Sequence, residues 1–238
     1  TDLIRAREEF FLERALAAFD RVPEITVLGD RSRERLSIVS FVIKPQSQPL
    51  QLHYNFVVAV LNDLFGIQSR GGCSCAGPYG YRLLQLTPEF GRLLDEEAAQ
   101  GCFGLRPGWT RVNLNWFISK AACDYVVDAI TLTAQEGWRL LPDYDFDERH
   151  GIWRHRAGPV EPPLRLSDLR YDATGALRYP NAHRRAGEHV LSAQLEQARE
   201  LLAARGDVAW GDRAEGLSER AERSRWFLVP ERKVHAGV

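Results

Sequence analysis

The sequence has no methionine and only three lysines, Lys44, Lys120 and Lys233, against 28 arginines. The arginine bias reads as genome composition, and it leaves few amines for Schiff-base chemistry. Cysteine is scarce as well: Cys73, Cys75, Cys102 and Cys123 are far too few for a disulfide scaffold in 238 residues. There is no apolar run of membrane-spanning length and no basic stretch leading into a short apolar one. The expectation is therefore a cytoplasmic protein with free thiols and no membrane partner. A net charge of −1 excludes a bulk basic field for nucleic acid and a strongly acidic tail. The six tryptophans are scattered, which favours packing over base stacking. The chain opens at Thr1, so the expectation is a piece of something longer.

What is present is ordinary for a globular chain, with 45% hydrophobic and 26% charged residues and enough length for a sizeable core. Residues 2–20 place Leu3, Ile4, Phe10, Phe11, Leu12, Leu16 and Phe19 at helical spacing. Residues 25–28 and 35–43 read as strands, the second β-branched and buried. Residues 52–65 form an apolar helix closed by Gly66. Residues 83–94 are helical in part, with Pro88 as an interruption. Residues 110–119 alternate, with Val112, Leu114, Trp116 and Ile118 on one side, and predict a strand that leads into a helix over 121–140. This α-β-β-α-β-β-α order predicts an α+β fold, helices covering a small mixed sheet. Beyond residue 141 prolines punctuate short extended segments. A helix follows over 188–204, its apolar face built from Val190, Leu191, Leu195, Ala198, Leu201 and Leu202, and residues 226–229 read as a short apolar strand.

The sharpest local feature is Arg70-Gly71-Gly72-Cys73-Ser74-Cys75-Ala76-Gly77. An arginine beside a cysteine on a glycine-rich loop favours the thiolate, which is both nucleophile and metal ligand. The plainer reading is two small residues in a tight turn. A metal site built on Cys73, Cys75, Cys102 and a histidine lacks the usual Cys-x-x-Cys spacing, so no metal is expected. Arg111 opens an otherwise apolar strand. A guanidinium there is either solvated, paired with a carboxylate of the protein, or a bidentate clamp for a substrate carboxylate. Asn113 and Asn115 alternate on its side. His53 near the start of the apolar helix reads as a packing or capping residue. His150 and His155 form no metal motif, and His183 sits in a basic surface stretch.

The run LHYNFVVAVLNDLFGIQSRGGCSCAGPYGY over 52–81 resembles the small-domain region of class V aminotransferase-fold enzymes. These are pyridoxal-phosphate enzymes related to cysteine desulfurases and selenocysteine lyases. In desulfurases a helix precedes a strand that ends in Arg-Thr-Gly, then two residues and a catalytic Cys-Ala. Arg70-Gly71-Gly72-Cys73-Ser74-Cys75-Ala76 fits that frame and puts Cys75 at the persulfide-forming position. Arg111 in TRVNLNWFIS matches the family arginine that holds the substrate α-carboxylate, and Arg70 shapes the loop beside it. The resemblance divides the chain into a small domain over 1–140 and a C-terminal extension over 141–238.

The same resemblance implies pyridoxal phosphate in the full-length protein, an amino-acid substrate and a homodimer. It places the Schiff-base lysine and the phosphate-binding residues on a large domain expected before residue 1. None of the three lysines sits in the family's His-Lys motif, so no cofactor-binding residue is expected in this chain and alone it should be inactive. Two features depart from the family: Cys73 has no cysteine counterpart in typical desulfurases, and nothing there matches the extension. The expected activity is aminotransferase or desulfurase/lyase-type chemistry with Cys75 as loop nucleophile and Arg111 and Arg70 at the substrate. The alternative is a non-catalytic binding or interaction module that retains the small-domain fold.

Overall fold

The computed structural model describes residues 1–46, 48, 50–72, 77–158, 165–179, 186–206, 217 and 219–230. Cys73 and Cys75, the basic stretch 181–185 with His183, Trp210 and Lys233 lie outside the described residues.

The elements follow in the order α1 (Asp2–Phe19), β1 (Ile25–Val27), β2 (Ile38–Ile43), α2 (Tyr54–Phe65), β3 (Arg70–Gly72), α3 (Gly77–Leu83), α4 (Pro88–Ala99), β4 (Trp109–Asn113) and α5 (Lys120–Glu136). Then come β5 (Tyr144–Asp147), β6 (Ile152–His155), β7 (Arg170–Tyr171), β8 (Leu177–Arg178), α6 (His189–Ala203) and α7 (Glu219–Arg223). The protein is α+β. Among the described residues no helix is long and apolar enough to cross a membrane.

The main sheet has the order β1-β2-β4-β3, and every neighbouring pair is antiparallel. This corrects the expected mixed sheet. β2 and β3 do run in the same direction across the α2 crossover, but β4 is inserted between them and opposes both. β4 is also shorter than the alternation over 110–119 predicts. Its register with β2 ends at Asn113 opposite Ile38. One further bond, from the Leu114 N–H to the Ser37 carbonyl at 2.9 Å, closes the ladder. Past that point no strand remains to pair with, and the chain turns. Trp116 is therefore 47% exposed and Asn115 leaves the strand face it was expected to share with Arg111.

One sheet face is buried. Val39, Phe41 and Ile43 on β2 and Thr110 and Val112 on β4 point into the core against α1, α2 and α5. α2 is set by its ends. His53 caps it, accepting the Asn55 N–H at 3.1 Å, and Gly66 closes it with φ 65°, a left-handed conformation that suits glycine. Pro88 starts α4 rather than interrupting a helix. Thr87 accepts the Phe90 N–H at 3.2 Å, and a proline in the first turn loses no intrahelical bond. On α1 only Phe11, Leu12, Ala15 and Phe19 are buried, while Leu3 is 84% exposed and Phe10 50%. The first turns run past the sheet, where Arg7 donates to the carbonyls of Trp116 (2.7 Å) and Ile118 (3.1 Å) instead of covering apolar surface.

The residues beyond 141 close over the same core. Tyr144 and Trp153 of the β5–β6 hairpin, Leu195, Ala198 and Leu202 of α6, and Phe227–Val229 all belong to the apolar cluster that holds Phe41 and Phe56. Residues 226–229 form no strand. They make a single parallel bridge, Gln51 to Phe227, formed by the Leu228 N–H donating to the Gln51 carbonyl at 2.8 Å and the Gln51 N–H donating to the Trp226 carbonyl at 3.3 Å. Leu201, expected on the α6 apolar face, is 38% exposed.

Candidate functional site

The four strands of the main sheet contain two charged residues, Arg70 and Arg111, and no carboxylate. The register sets those two residues directly opposite each other on β3 and β4. Partners in register lie on the same face of a sheet. That face carries Arg70, Arg111 and Ser40 in one row across three strands, since Ser40 is the β2 partner of Arg111. It is the face the core does not use: Arg70 is exposed, and Arg111 and Ser40 are half-buried. Neither guanidinium has a hydrogen-bond or ion-pair partner among the described residues. Like charges directly opposite on paired strands are destabilising. Some arginines elsewhere are paired, such as Arg156 with Asp145 at 2.9 Å and Arg178 with Asp172 at 2.9 Å; what sets Arg70 and Arg111 apart is their direct opposition across two strands.

The surroundings fix this row from both ends. At one end Trp109 lies two residues before Arg111 on the same face, and its buried ring packs against Gly80 of α3, where a Cβ would stand 3.5 Å from it. At the other end the Asn113 side-chain oxygen accepts the Ser37 hydroxyl at 3.2 Å. From below, α2 holds β3 against β4. A Cβ on Gly71 would lie 2.9 Å from Tyr54 Cδ2 and closer still to Asn55 Oδ1, so only glycine lets the helix approach this strand. The Thr110 hydroxyl donates to the Tyr54 carbonyl at 3.2 Å and ties β4 to the same turn of α2. Gly72, with φ 128°, then turns the chain out of β3 into residues 73–76. The strand that presents Arg70 thus directly precedes residues 73–76, which hold Cys73 and Cys75.

Arg70 and Arg111, predicted as substrate-binding residues, are brought together. Cys75, the predicted nucleophile, lies outside the described residues. The remaining cysteines are poor nucleophiles: burial pushes the Cys123 thiol up to about 11 and raises that of Cys102. Among the described residues no group of histidines, cysteines and carboxylates could hold a metal. Nor do the described lysines suit a covalently held pyridoxal phosphate. Lys44 is exposed just past the end of β2, and Lys120 is 59% exposed and paired with Asp124 at 2.8 Å on α5. The described residues therefore do not fit the cofactor's anchoring role.

The sequence understated His53. It is fully buried, its Nδ1 accepts the Asn55 N–H, and its Nε2–H donates to the Gly104 carbonyl at 3.1 Å. Its ring packs against Phe227 at 4.6 Å, Phe146 at 5.4 Å and Trp226 at 5.5 Å. The residue that caps α2 thus also anchors the β5–β6 hairpin and the 226–229 segment. The signal for this was faint: a histidine just ahead of an apolar helix, next to Tyr54.

No protein-family model matches the chain, and no curated protein matches it.

Proposed function

We propose that this chain is the substrate-binding small domain of a pyridoxal-phosphate-dependent class V aminotransferase-fold enzyme, and that Arg111 holds the α-carboxylate of an amino-acid substrate. The observation that carries the reading is the Arg70–Arg111 row on the open sheet face, where neither guanidinium has a partner among the described residues. Two guanidiniums set directly opposite each other repel, and an anionic ligand held by them would offset that repulsion. Ser40 and the walls at Trp109 and Asn113 orient that ligand. Cys75, four residues beyond Gly71 and past the end of β3, is the proposed loop nucleophile. When bound, pyridoxal phosphate supplies the electron sink for chemistry at the substrate's α-carbon. In this reading a large domain carries it, and the assembled enzyme is a homodimer.

The positions of Lys44 and Lys120 favour a second reading: a module that binds a carboxylate ligand or partner with no chemistry of its own. One experiment separates the two. The native protein is captured from its source with an antibody to this chain, and its pyridoxal-phosphate content and amino-acid conversion are measured. The enzyme reading predicts stoichiometric cofactor and turnover of an amino acid. Captured protein that is cofactor-free and inert against all amino acids leaves the module reading. In the active material, Cys75→Ala is expected to abolish turnover of the amino acid that the native protein converts while cofactor content is unchanged. Unchanged turnover removes Cys75 from the chemistry.

A further inference from the structure

We infer that the ligand of this site carries two separate acidic groups, so that the substrate is an amino acid with an acidic side chain and Arg70 is the residue that selects it. The inference rests on the carboxylate-clamp reading above and adds the substrate class. One α-carboxylate is satisfied by one guanidinium in a bidentate fork. The sheet face offers two: Arg70 has no acidic partner among the described residues, and the four strands supply no carboxylate beside it. Residues in a directly bonded antiparallel pair have Cα atoms about 5.5 Å apart. The bond pattern makes Arg70 and Arg111 such a pair, because β4 spends Thr110, Val112 and Leu114 on β2 and so turns the backbone groups of Arg111 toward β3. Two long side chains rooted that close together on one face reach two anionic groups on a single four- or five-carbon skeleton.

The rest of the face is mixed. Arg111 stands at the middle of the row with the Ser40 hydroxyl beside it on β2, half-buried Ile38 and Val42 flank Ser40, and Asn113 is an exposed amide. Trp109, the aromatic residue that could have made an apolar subsite, is taken up by α3. Arg70 is also more exposed than Arg111. That order suits a first carboxylate held at the half-buried position and a side-chain group met at the rim.

The test uses the full chain with succinate and acetate as probes at low ionic strength, reading the Nε–Hε signals of the arginines by NMR. Succinate is expected to bind about tenfold or more tighter than acetate, the gain of one further charge-assisted pair, and to shift both Arg70 and Arg111. Arg70→Gln, at an exposed position where folding is not at stake, is expected to bring succinate down to the acetate value while acetate binding stays the same. Equal affinities for the two anions, both felt at Arg111, overturn the diacid inference and leave the clamp standing. Equal affinities with acetate binding lost in Arg70→Gln mean that both arginines grip one carboxylate, and also overturn it. Binding of neither anion overturns the inference together with the clamp.

Discussion

Two residues on this protein are held in ways that cost stability, and each gives a measurable consequence. Arg70 faces Arg111 with no counter-charge among the described residues. Replacing Arg70 by alanine is expected to stabilise the ligand-free chain by about 0.5 kcal/mol at low salt, the size of one cross-strand like-charge term, and the gain should fade as added salt screens the pair. Denaturant melts at two salt concentrations check this, and a loss of stability at low salt contradicts it. His53 is the second. Burial lowers it from the ordinary histidine value to about 3, so the folded protein keeps it neutral where the unfolded chain takes up a proton. Its contribution is therefore intact above pH 6.5 and is lost progressively as pH falls toward 3. At pH 4 the loss is about 3 kcal/mol. His53→Gln is expected to be less stable at pH 7 but to have a shallower stability decline between pH 6 and 4, by close to one proton. An unchanged slope would mean that His53 titrates freely.

At the scale of elements, what the sequence revealed depended on whether the deciding contact was local. The helix α2 was readable because its cap and its Gly66 terminus lie within the segment. The length of β4 was not, because it is set by where β2 begins, at Ile38, far away in sequence. Pro88 was misread as an interruption because a proline in a first turn and a proline that breaks a helix look alike until Thr87 is seen capping. The residues of the candidate site were legible one at a time, but their juxtaposition across β3 and β4 was not, since two helices separate the strands in the chain. The strand β3 depends on one small residue. Gly71→Ala would drive a methyl into Tyr54 and Asn55 and is expected to cost about 2 kcal/mol. Thermal melts check the cost. The same variant should weaken acetate binding at Arg111 by moving β3 off β4; full stability with full binding would show that the helix yields freely.

At the scale of the molecule, residues before and after 141 share one core. Phe227 is fully buried among His53, Phe146 and Trp153, although it lies far down the chain from all three. Phe227→Ala is expected to cost about 3–5 kcal/mol, and a chain cut after residue 140 is expected to lose its cooperative unfolding transition. A sharp transition in that fragment would show that the later residues are an appendage. This closure bears on function, because α2, which carries the His53 cluster on one turn, presses β3 and its arginine against β4.

The most direct measurement of the central claim is an acetate titration of the intact chain, followed at the Arg111 side-chain Nε–Hε signal and repeated in Arg111→Ala. The account predicts a saturable shift at Arg111 that paired arginines such as Arg156 and Arg178 do not share, and loss of saturable acetate binding in the variant. A response spread evenly over the exposed arginines, or saturable binding that survives Arg111→Ala, would contradict a carboxylate site on the open face of this sheet.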